Sequence, residues 1–228
     1  MPPIDWTSIV LTIRLALVTA LILLVVGMPL ALWLARTRHP LRPAIEAVVA
    51  LPLVLPPTVL GFYVLLMLGP ASPLGRFYET ITGTLLPFSF PGLVVASVLF
   101  SLPFAVQPFT AAFRAVSREM EEASWCLGVS HWSTFWRITA PQSRAGIVAG
   151  GVLAFSHTLG EFGVALMVGG NIAGVTRTVS ISIYDSVQAM DYATAGWTSA
   201  LLLGSSFLIL LLLNLTQRNL HAPWLKRS

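Results

Sequence analysis

The sequence predicts an all-α integral membrane protein with about five transmembrane helices, its N-terminus outside and its C-terminus cytoplasmic. Three observations carry this. Of 228 residues, 56% are hydrophobic and only 10% charged, and the mean hydropathy is +0.82; a soluble domain carries roughly 25% charged residues. Several apolar runs without charge reach the ~20 residues that a helix needs to cross a bilayer. The basic residues gather in alternate connections between those runs. No hydrophilic stretch is long enough to fold separately, so 8–217 is read as one domain.

The first span, 13–35, ends at the basic cluster Arg36, Arg38, His39. Its uncharged run is too long for a signal-peptide core and no basic cluster precedes it, so it reads as a retained anchor. The second span, 44–68, contains Leu-Pro-Leu-Val-Leu-Pro-Pro at 51–57 and is expected to be broken or kinked. The segment 69–91, rich in glycine, proline and serine, reads as a loop. The third span, 92–113, carries Pro103 and Pro108. The fourth, 145–169, is interrupted by Glu161, and the fifth is 195–215; between them a short or re-entrant helix fits within 162–185. With five crossings, ten basic residues fall on one side (Arg36, Arg38, Arg42, Arg114, Arg118, Arg137, Arg144, Arg218, Lys226, Arg227) and three on the other (Arg14, Arg76, Arg177). The richer side is cytoplasmic by the positive-inside rule, and 114–144 is then the main cytoplasmic loop.

Within that loop, Ser117 reads as an N-cap with Glu119 and Glu121 in the first helical turn. Gly128 reads as a left-handed cap. A second short helix is expected from about 130 to 138, stopping before Pro141, with Trp132, Phe135 and Trp136 crowding one side. Two readings stand for this helix–glycine–helix: an interfacial element with its tryptophans at headgroup level, or a docking element with aromatic anchors for a soluble partner. Gly146, Gly150 and Ala154, spaced by four, allow close helix approach, either within the chain or at a dimer seam.

Glu161 is the only charge within 145–176 and is flanked by Gly160, Phe162 and Gly163. An ionisable group at membrane depth faces a bundle interior or water. Its readings are a proton relay, a cation ligand, or a structural and gating residue satisfied by backbone amides or Arg14. His157, one turn earlier, is placed to share a hydrogen bond or proton with it.

The chain excludes other functions. Its only lysine, Lys226, follows no glycine-rich turn, so there is no P-loop. Its one cysteine, Cys126, can form no internal disulfide and reads as a small buried or interfacial residue. A net charge of +4 is no nucleic-acid signal, and no nucleophile–base pair or metal-ligand cluster stands out.

Glu122-Ala123-Ser124, then Gly128, then Ile138 and Pro141, resembles the EAA loop of ABC importer permeases: Glu-Ala-Ala, three residues, Gly, nine residues, Ile-x-Leu-Pro. Ser124 and Ala140 are mild departures from it. The segments His157-Thr-Leu-Gly-Glu161-Phe-Gly163, 169–184 and Leu51-Pro-Leu-Val-Leu-Pro-Pro57 are similar to molybdate ABC transporter permeases, with sulfate permeases as relatives. Ala173 departs from a frequent proline. The resemblance implies a type I ABC importer transmembrane domain in the inner membrane of a prokaryote. It implies a homodimer that receives molybdate from a periplasmic or surface-tethered binding protein and couples to a separate ATPase. No cofactor is expected in this chain; ATP and magnesium belong to the partner. For coupling, the resemblance points to Glu121, Glu122, Ala123, Gly128, Trp132, Trp136, Ile138 and Pro141. For the pathway or its gate it points to His157, Gly160, Glu161, Phe162 and Gly163. Arg177 is a candidate contact for the anion or the binding protein, beside its reading as an ordinary loop arginine. The alternatives are a sulfate/thiosulfate or tungstate permease and, from another class, a proton-coupled secondary transporter.

Overall fold

The computed structural model describes residues 4–221, with side chains through Leu215. Lys226 and Arg227 of the expected basic tail, and the side chain of Arg218, lie outside the described residues.

The first span is longer than the sequence reading. Helix α1 runs Trp6–Arg36 over 31 residues. It is started by Asp5, whose carboxylate accepts from the Ser8 amide at 3.2 Å and the Ser8 hydroxyl at 2.5 Å. Arg14 therefore lies inside the helix, two turns from its start, and not in an outer loop. A π-helical turn at Leu23–Gly27 precedes Pro29. A wide turn changes the hydrogen-bond register, so a proline next to it costs less than one in a regular helix.

The second span is broken as expected. Helices α2 (Arg42–Val54) and α3 (Pro57–Leu68) meet at a 116° bend. The segment expected to be a loop instead holds helix α4, Pro73–Thr82. The Ser72 hydroxyl accepts from the Gly75 amide at 2.8 Å, Pro73 opens the helix, and Gly83 ends it at φ +69°. Its start and stop residues were present in the composition that read as loop.

Helix α5, Phe90–Ala115, is the central element and passes through Pro103 and Pro108 without a break. Helix α6, in the connection after α5, spans Arg118–Cys126. Ser117 occupies its N-cap position, but its side chain makes no capping bond. Beyond Gly128, the expected short helix does not stop at Pro141. Helix α7 continues from His131 to Leu159, again through a π-helical turn, Phe135–Thr139, just before the proline. The break comes at Gly160–Phe162, where α7 bends by 64° into the short helix α8, Gly163–Gly169. Helix α9, Val179–Gln188, is tied to α1 by the Val179 amide donating to Thr12 Oγ1 at 2.8 Å. Helix α10, Tyr192–His221, is capped by Asp191, which accepts from the Thr194 amide and hydroxyl. The hydroxyl bond in particular holds that carboxyl below its usual range.

The core follows α5. Leu23, Ala31 and Leu34 of α1, Val49 of α2 and Ala154 of α7 surround its Ala105, Phe109 and Phe113. A second cluster joins Val64 and Leu68 of α3 to Ala96 and Phe100 of α5 and to Val164 and Val168 of α8. The small-residue stripe of α7 is spent on this packing. Pro108 and Ala112 of α5 stand against Gly146, and Ala105 and Phe109 against Gly150, so the within-chain alternative holds. By contrast α10 is only 11% buried over its most apolar window, against 56% for α5. Its apolar face is left to lipid or another chain.

The close approach of α5 and α7 is testable. A Cβ at Gly150 would lie 2.5 Å from Phe109 Cε1 and 2.8 Å from the Ala105 carbonyl oxygen, whereas nothing lies within 4 Å of one at Gly204. Gly150→Val should therefore destabilise by about 1–3 kcal/mol and lower the melting midpoint of detergent-purified protein, with Gly204→Val near wild type. Equal midpoints for the two variants would refute this packing.

Candidate functional site

Two regions carry the sequence-predicted residues, at one end of the bundle and at its waist. At the end, α6 and the start of α7 form a bracket around Gly128, which has φ +79° with nothing within 4 Å of a Cβ. That backbone conformation is open to glycine and strained for other residues. The bracket is fixed to the spans from inside by Glu121. Its carboxylate, 4% exposed, accepts from Arg36 Nη2 at 2.9 Å and from the Thr139 hydroxyl at 2.6 Å. One side chain thus ties α6 to the end of α1 and to the wide turn of α7. Removing one partner of such a buried pair costs on the order of 3 kcal/mol. Ser124 and Thr134 share a second buried hydrogen bond at 2.9 Å across the bracket. Glu46 of α2 adds ion pairs with Arg42 and Arg114 at the same end. The first-loop and third-loop arginines are thereby brought together, as the charge count requires.

The outward face of the bracket is apolar and aromatic. Leu127 is 84% exposed, Trp132 70%, Trp136 52% and Met120 49%. Trp132, Phe135 and Trp136 form the expected cluster, with ring centroids 5.1–6.2 Å apart. Glu122, Ala123 and Pro141 are exposed and Ile138 is half-buried; Glu122 faces Arg118 at 3.5 Å. Two expectations are corrected. Glu121, grouped with the docking residues, is internal and braces the bracket. Cys126 is exposed, so of its two readings, buried or interfacial, the buried one is overturned.

At the waist, the two helix breaks face one another. A Cβ at Gly163 would sit 2.7 Å from Pro57 Cβ, and one at Gly61 2.8 Å from Met167 Cβ, so α3 and α8 are in close contact on the same side of both breaks. Near the end of α8, the Val168 carbonyl accepts from the Phe88 amide at 2.8 Å, with Phe88 held at φ 60°. A cavity of about 600 Å³ opens between the breaks, lined by Pro57, Thr58, Phe100, Ser156, His157 and residues 160–163. It gathers all five pathway candidates.

Glu161 is 4% exposed there, and neither carboxyl oxygen has a hydrogen-bond partner among the described residues. The expected satisfaction by backbone amides or Arg14 is not found: Arg14 lies over the Phe90 ring, 4.7 Å from its centroid. Ser97 of α5 is the neighbouring polar side chain, but its hydroxyl also lacks a bond of good geometry. The expected His157–Glu161 hydrogen bond is absent as well. His157 Nδ1 pairs with the Ser101 hydroxyl at 3.0 Å, and its ring stacks on Phe104 with centroids 3.9 Å apart. Ser97 and Ser101 went unnoticed in the sequence, although two hydroxyls four apart in an apolar span share one helix face. Arg177 is bonded to Asn171 Oδ1 at 2.6 Å and lies 3.5 Å from Asp185, so its charge is largely matched.

Residues 27–224 match the family of binding-protein-dependent transport system inner membrane components. The chain belongs to this family. It is 50% identical over 214 residues to the molybdenum transport system permease protein ModB of Azotobacter vinelandii, covering 94% of this chain and 95% of that one. It is 32% identical over 216 residues to the sulfate transport system permease protein CysT of Synechocystis, covering 95% and 75%. Among solved structures, a chain of the bacterial alginate ABC transporter, in complex with its alginate pentasaccharide-bound periplasmic protein, superposes with a TM-score of 0.75. That match has 19% identity and covers 95% of this chain and 79% of that one, and it shows a shared fold. The permease is thus a multi-pass inner membrane protein of the ABC importer fold, as its composition and motifs led us to expect.

The unpartnered carboxyl yields a prediction. Glu161→Gln keeps the shape and adds no charge, whereas Glu161→Lys places an unmatched cation at membrane depth, costing about 2.5–3.5 kcal/mol. Substrate uptake by the glutamine variant should stay within about threefold of wild type, and the lysine variant should lose roughly tenfold or more. Equal loss in both, with normal amounts of assembled transporter, would mean that the negative charge itself is required.

Proposed function

We propose that this chain is the pathway-forming subunit of an ATP-driven importer of molybdate. Two copies line the pathway, a binding protein delivers the anion at the Trp6 end, and an ATPase docks on the α6–α7 bracket. The substrate assignment is supported above all by the half-identical, nearly full-length match to a molybdenum permease. The docking assignment is supported by the exposed apolar face of Met120, Leu127, Trp132 and Trp136, beside a glycine turn and braced from within by Glu121. Large aromatic side chains exposed in a cluster are the anchors that protein interfaces use. ATP and magnesium then belong to the ATPase chain.

The bracket is a lever in this reading. Arg36–Glu121 and Thr139–Glu121 connect it to α1 and α7, so displacement of the bracket by ATPase closure is passed to both spans. The breaks at 55–56 and 160–162 let α3 and α8 shift against the rest of the bundle. Alternation of access then needs only these two joints.

Uptake of labelled molybdate into cells with and without this chain, competed by tungstate and by sulfate, tests the substrate. Uptake should require the chain and yield to tungstate but not to a similar excess of sulfate. Strong competition by sulfate would move the assignment to sulfate, and chain-dependent uptake after removal of the ATPase would overturn the ABC mechanism.

Gly128→Trp should separate hydrolysis from transport. A bulky side chain in a left-handed turn strains the backbone by about 1–3 kcal/mol and displaces the docking face without touching the spans. Transport is expected to fall about tenfold or more with the spans still assembled, and the melting midpoint of the membrane subunit should drop no further than that of Gly150→Val, which the backbone strain alone accounts for. Normal transport with normal substrate-stimulated ATP hydrolysis in that variant would count against docking at this turn.

A further inference from the structure

Arg14 is used by neither the bracket nor the waist cavity. It sits on α1 roughly 12 Å along the helix from Trp6, inside a spanning element. A charged side chain in that setting is costly and is kept where it meets a partner. Among the described residues Arg14 forms no ion pair, and its one contact of this kind is with the face of Phe90. Two acidic groups near this end are engaged. Asp5 caps α1 through Ser8, and Asp185 is held by Asn171 and faces Arg177.

The guanidinium lines a cavity of about 530 Å³ together with Trp6, Thr7, Val10, Phe90 and Gly174. This cavity joins the starts of α1 and α5 to the glycine loop after α8, at the end of the bundle away from the Arg36–Glu121 pair. The Phe90 ring lies over the guanidinium, an arrangement that stabilises the cation while its edge stays available for hydrogen bonds. A planar guanidinium presents paired N–H donors that match two oxygens of one tetrahedral anion.

We propose that Arg14 and Phe90 form a tetrahedral-oxyanion site at the outer end of the permease. Its orientation rests on the importer reading above. Two sources share the chemistry: the transported oxyanion on its way from the binding protein, and the phosphate of an outer-leaflet phospholipid.

The test uses the full transporter, with ATPase and binding protein, in proteoliposomes and in native mass spectrometry, for wild type, Arg14→Gln, Arg14→Lys and Phe90→Leu. If the site serves the transported anion, Arg14→Gln raises the molybdate concentration for half-maximal uptake about tenfold or more. Arg14→Lys then falls between wild type and Arg14→Gln, because it keeps the charge but loses the fork. Phe90→Leu falls between them. If the site holds lipid, half-saturation is unchanged, and the glutamine variant retains less co-purified phospholipid than wild type and the lysine variant. Arg14→Gln indistinguishable from wild type in both measurements overturns the site. Wild-type proteoliposomes without molybdate uptake would count against the importer reading alone; the retained-phospholipid measurement would then decide the site.

Discussion

A helix can be interrupted at membrane depth only where protein or water, and not lipid, meets the freed backbone groups. Among its described residues this permease has two such interruptions, between α2 and α3 and between α7 and α8, and it places each against the other. Pro57 rests on Gly163 and Met167 on Gly61, so the glycines are there to let two broken helices touch. The same contact encloses the only charge within 145–176 and the cavity around it. Everything at the waist follows from sheltering those breaks.

Around this waist the molecule is stiff on one side and jointed on the other. Helices α5 and α7 pack closely through Gly146 and Gly150, with Phe109 fully buried between neighbours. Helices α3 and α8 share a separate apolar cluster and join the rest of the chain through bends. Far from both, Glu121 links the bracket to two spans at once. The proposed mechanism uses this division: a stiff connection from the docking end and a jointed element at the waist.

The wide turns show how the prolines are accommodated. Pro29 and Pro141 each follow a π-helical turn, and in both cases the helix continues. Proline is a stop signal only when the helix has no other way to absorb a missing donor and a bulky ring. Reading Pro141 as the end of a short helix missed this, since local register is invisible in the composition. Helix α4 was missed for the opposite reason. Its cap residues Ser72, Pro73 and Gly83 are themselves loop formers and hid a short helix among them.

The sequence by itself determined the membrane class, the order of the apolar segments, the break near Pro56 and the break near Glu161. Hydropathy, charge placement and proline position act locally, so each is legible in one dimension. It also marked the bracket, because Glu122, Gly128 and Pro141 keep their spacing. Only the tertiary structure decided which partners those residues meet. Glu121 and Glu122 are adjacent, yet the helix turns one into an ion pair with Arg36, 85 residues away, and the other toward solvent. His157 and Glu161 are one turn apart, yet around the bend at Gly160 His157 pairs with Ser101 and Glu161 has no hydrogen-bond partner among the described residues. Partnership across such distances depends on how helices pack, which no local pattern encodes.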